Sequence, residues 1–229
     1  MNSQKSDAKN EETFVTLPFE KCEEFYVEKL DVIQSKPVYS FFKRFYDIVF
    51  SLVAMSIMLL PVLIISLIVK LTSKGSVFYH QERLGLNRKK IDVIKFRTMV
   101  IDAEKNGPQW SDGDHDPRIT SFGRFLRKTR LDEVPQFWCI LKGDMSLIGP
   151  RPERECYYNE FEKYIHGFNQ RLYVKPGLSG LAQVRGGYYL RPEEKILYDV
   201  EYIKTRNFWV DFKLTIETFF AVLKGEGAK

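Results

Sequence analysis

The segment Thr129-Arg-Leu-Asp-Glu-Val-Pro-Gln136 sets two adjacent carboxylates, Asp132 and Glu133, among three cations, Arg127, Lys128 and Arg130. Pro135 is easiest to place in the first turn of a helix, where backbone amides have no intrahelical partner. The spacing therefore predicts Asp132 as the N-cap and Glu133 at the first helical position. Ordinary helix initiation would account for such a pair on its own. The same geometry also makes an anion site, because free amides at a helix start attract phosphate, and the neighbouring Arg and Lys side chains add to that attraction. A carboxylate held beside a charge-neutralised phosphate can attack phosphorus, as in aspartyl-phosphate enzymes.

Other candidate chemistries find less support. Asp112-Gly-Asp-His-Asp116 is acidic enough for a metal loop, but a calcium loop needs Gly at its sixth place and Glu at its twelfth, where this chain has Pro117 and Gly123. The three histidines, at 80, 115 and 166, are scattered, and no Gly-rich phosphate loop occurs. Cys22, Cys139 and Cys156 lack metal spacing and read as reduced thiols facing a reducing compartment.

These groups must be carried by a chain of 229 residues, enough for one domain and a modest appendage. Residues 1–40 hold five Lys against eight acids, a balance of −3 within a total of +5, so residues 41–229 carry +8. A basic body suggests anionic partners such as lipid headgroups or phosphates. Between Asp47 and Lys70 there is no charge, and Ile48 to Val69 is a 22-residue apolar run, about 33 Å as a straight helix. Pro61 divides it into 13 and 8 residues, about 20 and 12 Å, each too short to cross a bilayer. Lys43 and Arg44 before the run and Lys70, Lys74 and Arg83 after it are basic flanks at both ends. That symmetry predicts a re-entrant hairpin with both flanks in the cytoplasm rather than a spanning helix. The run begins far from Met1 with no short basic leader, so a secretory signal is not expected.

Beyond the run, Val77–Glu82 and Lys90–Met99 alternate around Gly85-Leu-Asn87 as a β-hairpin should. Residues 101–120 read as a loop. Apolar residues recur at helical spacing over 122–142, and further helices are expected over 153–165, 192–203 and 209–223. The last carries Phe212, Ile216, Phe219, Phe220 and Leu223 on one stripe, suited to a core or a membrane surface.

Several ordered motifs then converge. Lys43-Arg-Phe-Tyr-Asp47, the proline-broken run, Lys95-Phe-Arg-Thr-Met99, Asp116-Pro-Arg-Ile, Leu131-Asp-Glu, Leu141-Lys-Gly-Asp-Met-Ser-Leu-Ile-Gly-Pro-Arg-Pro152, Pro176-Gly-Leu-Ser-Gly-Leu-Ala-Gln-Val184 and Asp199-Val-Glu-Tyr202 together resemble the bacterial sugar transferases. More narrowly, the chain resembles their small monotopic phosphoglycosyl transferases, over roughly residues 41–224. The resemblance implies transfer of sugar 1-phosphate from a UDP-sugar to undecaprenyl phosphate with release of UMP, the first membrane step of capsule, exopolysaccharide or other glycoconjugate synthesis. It implies Asp132 as nucleophile, Glu133 as catalytic partner and Mg²⁺ ligand, and Lys95, Arg97, Arg151 and Asp199 as substrate-binding residues. Two departures stand out. Leu60 precedes Pro61 where relatives often have Ser, and Arg185-Gly-Gly187 follows Gln183-Val184 where relatives continue Asn-Gly-Arg, so Arg185 is expected to serve the diphosphate from a shifted position.

The expected architecture is α/β and mainly helical. A polar extension over 1–40 leads into a re-entrant membrane helix over 41–75, and a compact cytosolic catalytic domain over 76–229 rests on the inner leaflet of a bacterial membrane through amphipathic interfacial helices. Expected partners are a UDP-sugar, undecaprenyl phosphate and membrane lipids, with a homodimer left open and nucleic acid excluded. Two rival readings remain at this level: a non-catalytic membrane-anchored scaffold of polysaccharide assembly, and a direct glycosyltransferase using Asp112, Asp114 or Asp116 on a metal.

Overall fold

The computed structural model describes residues 17, 19–30, 36–105, 107–109, 116–186 and 190–225. Helix α1 (Pro37–Thr72) is one element of 36 residues, long and apolar enough to cross a membrane. It continues through Pro61, where the sequence predicts a division into two segments. Pro61 removes a single ladder bond, and the helix continues on both sides of it.

Only Asp47, Ser51, Ile65 and Val69 of α1 are buried. They lie towards the two ends of the apolar run, and both ends rest on the same body. At the first, Asp47 Oδ1 accepts the Leu147 amide at 3.0 Å. Arg44 donates to the carbonyls of Ile140 and Leu141 at 2.5 and 2.6 Å, and Lys43 donates to the Ile148 carbonyl at 2.9 Å and pairs with Asp211 at 2.7 Å. The motif Lys43-Arg-Phe-Tyr-Asp47 is thus an anchor, with Lys43 and Asp47 one turn apart on the same helix face. At the other end Ile65 and Val69 pack on Phe96 and Leu126. Ser73, the residue after the helix, accepts from Arg97 through both its carbonyl and its hydroxyl, at 3.0 and 2.8 Å. The middle of the run, with Ile57, Leu59, Leu60 and Leu63, is exposed.

Strands β2 (Phe78–Leu84) and β3 (Lys90–Phe96) form the expected antiparallel hairpin, with β1 (Phe25–Tyr26) preceding α1. Asn87 and Arg88, both at positive φ, make the turn. Helix α2 (Ser121–Lys128) begins at Thr120, whose hydroxyl accepts the Gly123 amide. A 3-10 turn (Leu131–Glu133) and α3 (Gln136–Lys142) follow. The rest of the body comprises β4 (Ser146–Ile148), α4 (Glu155–Glu162), β5 (Ile165–His166), a 3-10 helix (Phe168–Tyr173), β6 (Gly177–Ser179), α5 (Leu181–Arg185), α6 (Pro192–Thr205) and α7 (Phe208–Lys224).

Strands β4 and β6 pair in parallel, Ser146 opposite Gly177 and Ile148 opposite Ser179. Two glycines make this closeness feasible: a Cβ on Gly177 would stand 2.1 Å from the Gly149 nitrogen. The motifs Gly149-Pro-Arg-Pro152 and Pro176-Gly-Leu-Ser-Gly180 are the two sides of that approach. One core lies between the hairpin, α3, β4 and α6, with Ile140, Met145 and Ile203 at its centre. Another lies among α4, the 3-10 helix and α6 and is built on Tyr158, Phe161 and Phe168.

The acidic N-terminal region, for which no chemistry is expected, is partly integral to this body. Phe19, Phe25, Val27 and Leu30 pack on the second core, and β1 pairs in parallel with β5. Helix α7 buries Asp211 and Leu214 and exposes Trp209, Phe212, Ile216, Phe219, Phe220 and Leu223.

Candidate active site

The hairpin alternates side chains across its two faces, so Tyr79, Gln81 and Arg83 of β2 share a face with Lys95 of β3. That face forms one wall of a cavity of about 290 Å³. Lys95 lies opposite Tyr79 in register, its ammonium 5.3 Å from the ring centre. Arg97 continues the wall while its guanidinium is bound to Ser73, so the end of α1 is clipped to the cavity.

The acidic pair forms another part of the lining. Here the structure corrects the expected cap: Arg130 adopts a left-handed backbone, φ 59°, and turns the chain into the 3-10 turn that contains Asp132 and Glu133. Pro135 takes the N-cap position of α3, three residues after Asp132. The dyad therefore precedes the helix on a tight turn of its own. Asp132 is 6% exposed. Arg151, delivered by the chain leaving β4, forms a fork on Glu133: Nη2 bonds Oε1, and Nη1 reaches Oε2 at 3.4 Å.

These neighbours drive the two carboxyls apart. Burial, and then the charge of Glu133, push the Asp132 carboxyl up to about 6 against the pull of Lys95, Arg127 and Arg151. Burial acts upward on Glu133 too, but the charge and hydrogen bond of Arg151, with Arg130 and Lys95, outweigh it and hold that carboxyl at about 2. Burial, followed by the charge of Arg83, lowers the Lys95 ammonium to about 8. Glu133 is thus the firmly ionised member, and Asp132 is the one whose charge the surroundings leave least satisfied.

Of the residues the sequence nominates, Lys95, Arg97, Asp132, Glu133 and Arg151 meet around this cavity. Asp199 lies behind it, 1% exposed and 2.8 Å from Nη2 of Arg171, and it is Arg171 that lines the cavity. Arg185 stands exposed at the end of α5, outside the cavity lining, and the adjoining Gly187 falls outside the described residues. Asp112 and Asp114 also fall outside them. Asp116 is described, and its Oδ1 and Oδ2 are engaged by Arg118 at 2.8 and 2.6 Å. Pro61 lies in the exposed stretch of α1, far along the sequence from any lining residue.

Sequence reasoning missed Arg171, Gln183 and Lys195, all of which line the cavity. Gln183 sits in a motif quoted for the family resemblance, yet nothing in that motif marks its amide as chemical. In the structure both amide atoms are buried without a hydrogen-bond partner among the described residues. Arg171 and Lys195 lie in stretches without motif or spacing that would single out a cation.

A Mg²⁺ ion takes few protein ligands and fills its octahedron with phosphate oxygens and water. Among the described residues no cluster of three or more His, Cys, Asp or Glu forms a ready cage. The donor set nonetheless fits such an ion, since Glu133 is anionic and its fork with Arg151 leaves one lone pair on each oxygen.

The bacterial sugar transferase family profile matches residues 38–225, and the chain belongs to that family. It is 37% identical over 212 residues to a UDP-N-acetylgalactosamine-undecaprenyl-phosphate N-acetylgalactosaminephosphotransferase of Aeromonas hydrophila, covering 91% of this chain and 50% of the relative. It is 40% identical over 185 residues to a UDP-glucose:undecaprenyl-phosphate glucose-1-phosphate transferase of Escherichia coli K12, covering 78% and 39%. An undecaprenyl-phosphate galactose phosphotransferase of Salmonella typhimurium is 37% identical over 203 residues, covering 82% and 42%. The chain thus spans half or less of the length of these relatives.

Proposed function

We propose that this chain transfers sugar 1-phosphate from a UDP-sugar to undecaprenyl phosphate at a membrane surface, through a covalent intermediate on Asp132. The observation that carries the reading is the Asp132–Glu133 pair on the lining of a cation-rich cavity that is clipped, through Arg97, to the end of the apolar helix. The three relatives act, by their names, on undecaprenyl phosphate with three different sugars. The sugar is therefore left open here.

In this reading a carboxylate oxygen of Asp132 attacks the phosphorus that bears the sugar. The bond from that phosphorus to the bridging oxygen breaks, and UMP leaves with the electron pair. An oxygen of undecaprenyl phosphate then attacks the same phosphorus, and the Asp132 carboxylate departs unchanged. Lys95, Arg127 and Arg151 surround Asp132 and would stabilise the charge that gathers on the phosphoryl oxygens. Glu133 would hold Mg²⁺, which when bound offsets repulsion between the anionic nucleophile and the diphosphate. Two half-reactions through one aspartate let a single site meet a soluble donor and an insoluble acceptor in turn.

Membrane seating follows the same reading. Both ends of the apolar run rest on one body while its middle and the α7 stripe are exposed, which suits entry and exit on one face with a bend at Pro61. The cytoplasmic face of a bacterial membrane is the expected side. Impermeant labelling of single cysteines placed at residues 3 and 229, on a variant lacking the native cysteines, should leave both protected in intact cells. Labelling of residue 3 alone would mean a spanning helix.

The decisive assay supplies a panel of UDP-sugars with undecaprenyl phosphate and identifies the nucleotide product. UMP is expected. Release of UDP would favour direct glycosyl transfer, a reading already weakened because Asp116 is committed to Arg118. Absence of either nucleotide across the panel would leave the scaffold reading.

A further inference from the structure

Behind the dyad the cavity has a second cationic wall. Arg171, 2% exposed, stacks its guanidinium over the rings of Phe168 and Tyr158, at 4.9 and 5.8 Å from their centres. Its Nη2 lies 2.8 Å from Asp199 and donates to the Arg151 carbonyl at 3.0 Å. Its Nε and Nη1 are buried with no hydrogen-bond partner among the described residues, although the side chain lines the cavity. Buried guanidinium N–H groups are seldom left in that state, since each forgoes its hydration with nothing in exchange. Lys195, one turn before Asp199 on α6, lines the same wall. Burial, aided by the charges of Arg171 and Arg151, lowers its ammonium below the ordinary value despite Glu153 and Asp199. Two cations brought together away from water, one with donors to spare, are complementary to an anion.

We infer that Arg171 and Lys195 form a phosphoryl-binding subsite on the wall of the cavity behind Arg151, with Asp199 holding Arg171 in place. The subsite takes a phosphoryl group of an anionic substrate, from the diphosphate of the nucleotide donor or from the phosphate of the lipid acceptor. It deepens the proposed function and rests on that reading for the identity of the substrates. Asp199 is on this account a positioning residue: it touches Arg171 and leaves the ligand to it.

The test uses the full chain in detergent and inorganic pyrophosphate as probe, titrated calorimetrically. Lys195→Gln and Arg171→Gln should each weaken pyrophosphate binding about tenfold or more, and Arg171→Lys should recover part of the loss. If Arg171→Gln does not fold, Lys195→Gln decides alone, because Lys195 is only half-buried whereas Arg171 is 2% exposed. A wild-type chain that does not bind pyrophosphate, or a Lys195→Gln chain that binds within threefold of wild type, overturns the subsite. Steady-state kinetics on Lys195→Gln then separates the sources. A raised KM for the UDP-sugar assigns the subsite to the donor, a raised KM for undecaprenyl phosphate assigns it to the acceptor, and no change in either overturns it. Should no UDP-sugar yield UMP, the proposed function fails while the pyrophosphate titration still decides the subsite.

Discussion

On the lining of the cavity Asp132 is 6% exposed and has Glu133 as its neighbour; behind the far wall Asp199 is 1% exposed and has Arg171 at 2.8 Å. Burial is the largest upward push on both carboxyls. What differs is the company. Asp199 faces a guanidinium that is clamped between rings and a backbone carbonyl, so its charge is answered by a partner that cannot move away. Asp132 faces a second carboxylate and a set of cations that it shares with the rest of the cavity, among which Arg151 is already committed to Glu133. The same residue type thus has a dedicated cationic partner in one place and in the other shares its cations with a neighbouring carboxylate.

The comparison breaks most sharply at Asp132. Asp132→Asn keeps the shape and removes the proposed nucleophile, and should lower turnover by roughly three orders of magnitude or more while leaving the thermal unfolding profile close to wild type. Intact-protein mass spectrometry of wild type given a UDP-sugar without lipid should show a sugar-phosphate adduct. Substantial activity in the Asn variant would sink the covalent mechanism. Asp199→Ala should do the reverse, leaving Arg171 buried without its counter-charge and costing about 3–5 kcal/mol of stability. Thermal unfolding in detergent measures this, and an unchanged Tm with lost activity would move Asp199 into the chemical group. The smallest effect is expected at Arg185, which the sequence nominates for the diphosphate and the structure leaves exposed outside the cavity lining. Arg185→Ala should change kcat/KM by less than threefold, and a tenfold loss would return it to the site.

Much of this was legible in the residues. The hairpin follows from alternation, α6 and α7 from helical spacing, and the union of Lys95, Asp132, Glu133 and Arg151 from motifs that resemble those of a family. The spacing around Pro135 points to a cap at Asp132, whereas Arg130, not a residue type that advertises a left-handed backbone, adopts one and makes a separate turn ahead of α3. Strands β4 and β6 escaped notice because three residues are too few for a period of two to register. Arg171 was missed for another reason: its burial depends on Phe168 and Tyr158 folding over it, and no local spacing encodes that. Pro61 suggests a division of the apolar run, yet the helix is continuous through it, since a proline forfeits only one ladder bond.

The polar anchor at the start of α1 bears on any attempt to separate the rest of the body from the apolar helix. The Leu147 amide, the last carbonyls of α3 and the Ile148 carbonyl all bond to side chains of α1, and Asp211 of α7 is neutralised by Lys43. A chain begun at residue 76 to gain solubility would leave a parallel strand, a helix end and a buried carboxylate without these partners, each a cost of about 1–3 kcal/mol or more. Such a truncation should lose cooperative unfolding instead of yielding a soluble folded body. The apolar segment is an internal member of the body, and solubility would have to be engineered on its exposed face, residue by residue, with Lys43, Arg44 and Asp47 left untouched.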